Sequence, residues 1–345
     1  MHRASLLGPT GRLLSAAVIA LTLAAATSLP VRAQENSYIL TTATTGGTYY
    51  PVGVALATLV KVKLQPGHGI TLSAINSAGS GENVKLLRED QAQFAILQGL
   101  YGRWAWNGAG AVAQSGPQKY LRSITMLWQN VEHFGVNSRY VETGTISDLE
   151  NLEGEKFSIG KRNSGTEGSG RAILGNLGYD PDEMFNLAYL GYGPSADALQ
   201  NGAIAGFNIP GGVPVGGVTR AFASLGDGLT VLDFTDEQMA QVNGEQELWT
   251  RYVIPAGTYP GQDEDIRTMA QPNFLAVHAD LPEEAVYKIT KTIYENLPFL
   301  RNIHKATAAM ALDRAIAGLP APLHPGAARY YREQGIDIPG ALMAE

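Results

Sequence analysis

The strongest constraint on the fold is a pattern that occurs twice along the chain. Each time, a short apolar strand leads into a glycine-containing turn, and a helix with one apolar face follows. Gly47-Thr48 forms this turn in the first copy and Gly165-Thr166 in the second. Alternating strands and helices predict layered α/β structure. Two similar units in tandem favour a clamshell of two lobes, although any two α/β segments look alike at this level.

The expected elements follow from periodicity and turn chemistry. Pro51 suits the first turn of a helix because its missing N–H is not needed there. The first copy has expected strands at residues 37–41, 70–75 and 93–97, with helices after Pro51 and at 82–89. The second copy has expected strands at residues 156–159, 185–190 and 203–209, with helices at 167–177 and 195–199.

The length of 345 residues exceeds what one compact core usually holds. Two apolar stretches, residues 121–136 and 271–279, are interpreted as the connections between lobes. The expected division is a signal peptide at 1–33, a lobe I made of 34–127 plus 278–345, and a lobe II at 128–277.

The N-terminal segment is typical of a secretory signal peptide. His2, Arg3 and Arg12 form a basic region, residues 13–29 are mostly apolar, and Val31-Arg32-Ala33 resembles a cleavage site. A transmembrane anchor is the alternative, but the apolar core contains Ser and Thr and is shorter than the about 20 residues of a comfortable span. We expect cleavage near Ala33 and a periplasmic protein.

Composition excludes several classes of function. The chain has no cysteine, which removes disulfides and thiolate sites, and its six histidines show no metal-binding spacing. A formal net charge of −7 without basic runs argues against a nucleic acid partner. No nucleophile elbow or P-loop is found. We expect no metal, no cofactor and no enzymatic activity.

The first candidate site is the turn that contains Gly47, Thr48 and Tyr49. The start of a helix offers unpaired N–H groups and a partial positive charge, so it can bind an anion without a charged side chain. The alternative is an ordinary strand–helix turn with Thr48 as the N-cap residue.

The second candidate is the turn that contains Arg162, Ser164, Gly165 and Thr166. It has the same strand–turn–helix context, and Arg162 could pair with a carboxylate through two hydrogen bonds. Alternatively, Arg162 is solvated or pairs with Glu167. Two such turns facing each other across a cleft would suit a ligand with acidic groups.

Other candidates lie at the ends of neighbouring elements. Ser80 and Asn83 open the helix after the second strand, where Ser80 could instead be an N-cap. Gln98 lies just beyond an apolar strand, and ligands in open α/β sheets bind beyond the carboxyl ends of strands. Trp128 lies in a presumed connection between lobes and could form a wall of the cleft.

The chain resembles the TAXI subgroup of substrate-binding proteins, which serve TRAP transporters. The resemblance extends over nearly all of the chain after residue 33. Its motifs are Gly46-Gly47-Thr48-Tyr49-Tyr50-Pro51-Val52-Gly53, Gly79-Ser80-Gly81-Glu82-Asn83-Val84, Phe94-Ala95-Ile96-Leu97-Gln98, Ser164-Gly165-Thr166-Glu167, Ile254-Pro255-Ala256-Gly257-Thr258-Tyr259 and Leu323-His324-Pro325-Gly326-Ala327-Ala328-Arg329-Tyr330-Tyr331. Two departures are Thr42-Ala43-Thr44-Thr45, where the family has more glycine, and Lys161-Arg162-Asn163, where the family has small neutral residues.

The resemblance implies a type II periplasmic-binding-protein fold and secondary transport through a membrane permease. It implies ligands such as glutamate-like amino acids or small dicarboxylates, for example 2-oxoglutarate. Ligand contacts carried over by motif are Thr48, Tyr49, Ser80, Asn83, Gln98, Ser164, Gly165 and Thr166. We therefore expect a monomeric solute receptor that closes on a small carboxylate by a hinge near Trp128 and Phe274. The alternatives are a sensory binding protein and an enzyme on the same fold.

Overall fold

The computed structural model describes residues 36–244 and 247–343. The expected signal peptide at 1–33 lies outside the described residues. The expected α/β class is confirmed, because the described chain forms two mixed sheets covered by helices.

The first sheet is built around three parallel strands. Its members are β1 (Asn36–Thr41), β2 (Ile70–Ile75), β3 (Phe94–Gln98), β4 (Leu121–Val131), β10 (Thr250–Ile254) and β11 (Ile266–His278). The order is β2-β1-β3-β11-β10, and β4 also pairs with β11. β11 runs antiparallel to β3, so a strand from late in the chain sits beside the first three.

The second sheet repeats this topology. Its members are β5 (Phe134–Asn137), β6 (Lys156–Ser158), β7 (Asn186–Ala188), β8 (Gly206–Asn208) and β9 (Leu229–Val231). The order is β7-β6-β8-β5-β9, with β6 parallel to β7 and β8, and β5 antiparallel to β8. In each sheet an antiparallel strand, β11 in the first and β5 in the second, pairs with the edge of the three parallel strands.

Eleven α-helices occur in the described ranges. They are α1 (Tyr49–His68), α2 (Ser80–Arg88), α3 (Gly99–Asn107), α4 (Gly165–Asn176), α5 (Pro181–Met184), α6 (Tyr192–Gln200), α7 (Gly216–Leu225), α8 (Asp236–Asn243), α9 (Glu283–Glu295), α10 (Leu297–Ile303) and α11 (Pro325–Glu333).

Helix α1 shows how the local sequence sets an element. Val52, Leu56 and Val60 recur at helical spacing and are fully buried against the first sheet. Burying each such side chain stabilises the fold by about 1.5–3 kcal/mol. The helix ends at Gly69, whose φ of 64° is a left-handed conformation that glycine adopts without steric cost.

Two paired strands connect the regions around the two sheets. In β4, Trp128 packs in the core of the first sheet, whereas Val131 packs in a core on the second sheet. In β11, Ala270 belongs to that second-sheet core and Phe274 to the first. The chain thus crosses between cores near residues 128–131 and 270–274. The lobe boundaries expected at 127/128 and 277/278 stay a prediction.

Candidate functional site

A cavity lies where the carboxyl ends of the parallel strands of both sheets meet. Its volume is about 30 Å³, far below the roughly 300–1,000 Å³ of pockets that enclose small-molecule ligands. A ligand of several heavy atoms therefore enters only if the two sides of the cavity separate. The lining residues are Ala43, Thr44, Gly47, Thr48, Tyr49, Ala78, Gly79, Ser80, Gln98, Asn130, Lys161, Ser164, Gly165, Thr166, Leu190, Gly191, Tyr192, Pro210 and Gly211.

Four of the described helices begin at this cavity. Helices α1 and α2 follow strands of the first sheet and begin at Tyr49 and Ser80, while α4 and α6 follow strands of the second and begin at Gly165 and Tyr192. The N–H groups in the first turn of a helix have no acceptor within that helix and carry a partial positive charge. Their convergence makes the cavity suited to an anion.

The structure brings most of the expected site residues together. Gly47, Thr48, Tyr49, Ser80, Gln98, Ser164, Gly165 and Thr166 all line the cavity. Asn83, Trp128 and Arg162 do not.

Thr48 occupies the N-cap position of α1, but its side chain does not cap that helix. Its hydroxyl instead donates to the carbonyl oxygen of Gly212 at 3.0 Å and accepts from the N–H of Gly212 at 3.1 Å. Gly212 follows β8 of the second sheet. The alternative of a simple N-cap is thus wrong, since Thr48 joins the two sides of the cavity.

Tyr49 begins a chain of hydrogen bonds along the base of the cavity. Its hydroxyl donates to Oδ1 of Asn273, and Nδ2 of Asn273 donates to Oδ1 of Asn130 at 3.3 Å. Nδ2 of Asn130 is buried and has no partner in the described protein. Burial raises the pKa of Tyr49 well above its usual range, so the hydroxyl keeps its proton.

Ser80, Gln98 and Gly165 meet across the cavity. The hydroxyl of Ser80 accepts from the N–H of Gln98 at 3.1 Å. A Cβ on Gly165 would lie 2.7 Å from Cδ of Gln98 and 2.9 Å from Oγ of Ser80. Only glycine permits this approach of α4 to the end of β3. Oε1 of Gln98 is buried there without a hydrogen-bond partner in the described chain.

Ser164 and Thr166 organise the start of α4. The hydroxyl of Ser164 caps the helix by accepting from the N–H of Glu167 at 3.0 Å. The hydroxyl of Tyr192 donates to the carbonyl oxygen of Pro210 at 2.6 Å, so Oγ1 of Thr166 donates to Tyr192 at 2.9 Å. Both side chains therefore hold neighbouring groups in place, and the N–H groups of Gly165 and Thr166 at the start of α4 are left for a ligand.

Asn83 is buried away from the cavity. Its Oδ1 accepts from Thr41 at 2.7 Å and from Ser77 at 2.6 Å. Its Nδ2 donates to the carbonyl oxygens of Thr42 at 2.7 Å and Ile96 at 2.9 Å. All four hydrogen-bonding positions of the amide are thus used within the protein. Asn83 holds together the loops that carry the first-sheet side of the cavity.

Trp128 and Arg162 lie near the cavity but outside its lining. Trp128 packs edge-on against Tyr49, with ring centroids 6.0 Å apart, and a Cβ on Gly212 would come within 2.6 Å of its ring. The guanidinium of Arg162 stacks 3.7 Å from the ring centroid of Tyr189. Arg162 is thus an exposed charge that stacks on Tyr189, and Glu167 pairs with Arg171 at 3.5 Å.

Lys161 and Asn130 line the cavity without having been singled out from the sequence. Lys161 provides the cation of the lining, next to the position expected for Arg162. In the sequence, Lys161 was indicated only by the basic segment Lys161-Arg162-Asn163. Which of its two cations faces the cavity depends on the stacking of Arg162 on Tyr189. Asn130 is almost wholly buried, and its signal was a polar residue inside an apolar connecting strand.

The family was determined by comparison with family models, one of which matches residues 40–335. The chain belongs to the NMT1-like family. Among solved structures, this NMT1-like chain is similar to the periplasmic binding protein BugD, with 12% identity and a TM-score of 0.52. The match covers 87% of this chain and 94% of BugD.

A second similar structure is MatC from Rhodopseudomonas palustris with bound malate, with 13% identity and a TM-score of 0.52. The match covers 88% of this chain and 99% of MatC. These likenesses confirm the expected periplasmic-binding-protein fold. Within the described ranges of the NMT1-like chain, no helix has the length and apolar character needed to span a membrane, and no three His, Cys, Asp or Glu residues are grouped to hold a metal.

Proposed function

We propose that this protein is the extracytoplasmic solute receptor of a TRAP-type secondary transporter and that it binds a small carboxylate. The observation that carries the proposal is the meeting of four helix N-termini and Lys161 at one cavity. These groups attract negative charge from several directions. A carboxylate at this point would receive hydrogen bonds from both sides of the cavity and would hold them together.

Binding requires a hinge motion. The cavity of about 30 Å³ is too small for a dicarboxylate as it stands, so its two sides separate to admit ligand. The paired strands β4 and β11 join the two sides and are the elements about which they can rotate. Closure is then a shift of population toward the state in which the ligand contacts both sides.

Assignment to the TAXI subgroup rests on the sequence motifs that surround the cavity. Gly47-Thr48-Tyr49, Ser80, Gln98 and Ser164-Gly165-Thr166 are motif residues that line the cavity. Membership of the NMT1-like family and the fold shared with BugD and MatC are compatible with this assignment. The bound malate of MatC is a small carboxylate of the proposed class. The implied partner is a TRAP-type membrane permease, served by a monomeric receptor.

The test is ligand binding by purified protein from which co-purified ligand has been removed by mild unfolding. Malate, 2-oxoglutarate and a neutral sugar are compared by thermal shift and by calorimetric titration. A ligand at one hundred times its Kd stabilises the folded state by about 2.7 kcal/mol. Stabilisation by a carboxylate supports the proposal. Stabilisation by neutral solutes alone would contradict it.

Export is tested separately on the protein produced in its natural compartment. We propose that the first 33 residues are removed, so the intact mass and N-terminal sequence should show a chain that begins at Gln34. A periplasmic chain that retains residue 1 would contradict cleavage. Loss of carboxylate uptake on deletion of the gene separates a transport role from a sensory one.

A further inference from the structure

The described side chains that line the cavity carry a positive charge but no negative charge. Lys161 is cationic, and no aspartate or glutamate occurs among the lining residues of the described chain. Two glutamates lie near the helix starts, but Glu82 accepts from the N–H of Ala78 and Glu167 from the N–H of Asn163. Neither glutamate lines the cavity.

Six backbone carbonyl groups of the lining already accept internal hydrogen bonds. Donors from within the protein reach the carbonyl oxygens of Thr44, Gly79, Ser164, Gly191, Pro210 and Gly211. An ammonium group needs several acceptors, and it is most stable beside a carboxylate. The cavity offers no carboxylate, and Lys161 would repel the ammonium.

Among the described residues that line the cavity, two buried side-chain amide atoms have no hydrogen-bond partner, and they differ in kind. Nδ2 of Asn130 is a donor, and Oε1 of Gln98 is an acceptor. The hydrogen bonds from Tyr49 through Asn273 orient the Asn130 amide so that its donor is the free atom. Gln98 lies opposite Asn273 in the pairing of β3 with β11, and Asn273 is hydrogen-bonded to Asn130. The side-chain amides of Gln98 and Asn130 therefore lie on the same wall of the cavity. A hydroxyl group can satisfy both atoms, and an oxo group can satisfy the donor.

A buried carboxyl group outside the lining belongs to Glu132. It is fully buried, and its Oε2 accepts from Nδ2 of Asn208 at 3.1 Å. Asn208 belongs to β8, which places this carboxyl group in the packing between β4 and the second sheet. Glu132 therefore does not offer a surface carboxylate to a ligand.

We propose that the cavity selects carboxylates that carry a hydroxyl or oxo group and rejects the corresponding amino acids. This inference rests on the proposed function and narrows its ligand class. Selectivity arises because an ammonium would lie beside Lys161 and Asn130, where it finds repulsion and a competing donor. An oxygen substituent instead receives the Asn130 hydrogen bond.

The test uses pairs of ligands that differ in one substituent. Purified full-length protein is titrated calorimetrically with malate against aspartate, and with 2-hydroxyglutarate against glutamate, near neutral pH. We expect each amino acid to bind at least about tenfold more weakly than its hydroxy acid. Equal or tighter binding of aspartate and glutamate would overturn the inference and leave the proposed function intact. A protein that binds none of the four and also fails to bind 2-oxoglutarate would contradict both.

A substitution at Asn130 can place a negative charge in the cavity. Asn130→Asp replaces the free donor with an acceptor and adds negative charge. We expect it to weaken hydroxy-acid binding by about tenfold or more and to reduce the discrimination against the amino acid. Asn107→Asp makes the same change at an exposed position at the end of α3 and should leave both affinities unchanged. Unchanged ligand preference in a folded Asn130→Asp protein would count against the role of Asn130.

Discussion

The hydroxyl of Thr48 is hydrogen-bonded to both backbone groups of Gly212, at 3.0 Å to its carbonyl oxygen and 3.1 Å from its N–H. The two residues are 164 positions apart and belong to opposite sides of the cavity. Both are buried, so neither backbone group of Gly212 has ready access to water. This pair ties the start of α1 to the loop after β8.

We expect Thr48→Val to lower the free energy of unfolding by about 2 kcal/mol, because it leaves buried donor and acceptor groups unpaired. Urea unfolding measures the change. Thr48→Ser keeps the hydroxyl and should lose much less stability. A Thr48→Val protein as stable as wild type, beside a destabilised Thr48→Ser protein, would show that the methyl group of Thr48, and not the hydrogen bonds, is responsible.

Gly165→Ala should weaken carboxylate binding without unfolding the protein. The added Cβ would lie 2.7 Å from Gln98 and 2.9 Å from Ser80, so the two sides of the cavity could not close fully. We expect a loss of affinity of about tenfold or more by calorimetry. Gly175→Ala is the matched control in the same helix, since its Cβ meets nothing within 4 Å. Similar affinities for the two variants would remove Gly165 from the site.

Neighbouring cations should differ in their effect on binding. Lys161 lines the cavity, whereas Arg162 stacks on Tyr189. Lys161→Gln is expected to reduce carboxylate affinity by about tenfold, since it removes a charge-assisted contact. Arg162→Gln should change affinity little, because it alters only long-range, screened attraction. The reverse order of effects would restore the assignment expected from the sequence.

Glu132 should make stability depend on pH. Burial raises the pKa of its carboxyl group to about 7, and the hydrogen bond from Asn208 opposes this shift only in part. Burial, and to a lesser degree the Glu132 carboxyl group, raises the pKa of Tyr49 and of Tyr192. Neighbouring His133 supplies no positive charge, because burial lowers its pKa to about 4.

The folded state therefore holds a proton on Glu132 that the unfolded chain releases at lower pH. This contribution to stability is fully present below the unfolded pKa and is lost as pH rises through about 7. The Glu132→Gln side chain resembles the protonated acid. We expect the stability of this variant relative to wild type to be roughly 2–3 kcal/mol greater at about pH 8 than at about pH 5. Urea unfolding at both pH values checks this, with exposed Glu155→Gln as the control. Parallel pH profiles for wild type and Glu132→Gln would exclude Glu132 as the source.

The sequence alone determined several of the elements and their repeated strand–turn–helix order. Apolar periodicity and turn residues predicted the strands before and after α1 and the helix that follows Gly165-Thr166, because these signals act between residues close in the chain. The same locality made the helix starts at Thr48 and Gly165 identifiable as anion-binding candidates. Side-chain direction was not accessible in this way.

Only the tertiary structure decided which polar residues face the cavity. Asn83 is turned inward by partners that include Thr41 and Ile96. Arg162 is drawn to Tyr189 while Lys161 lines the cavity. The Asn130 amide is oriented through Asn273, 143 positions away. Each choice depends on hydrogen bonds or ring contacts between segments that meet only after folding, so no local pattern could predict it.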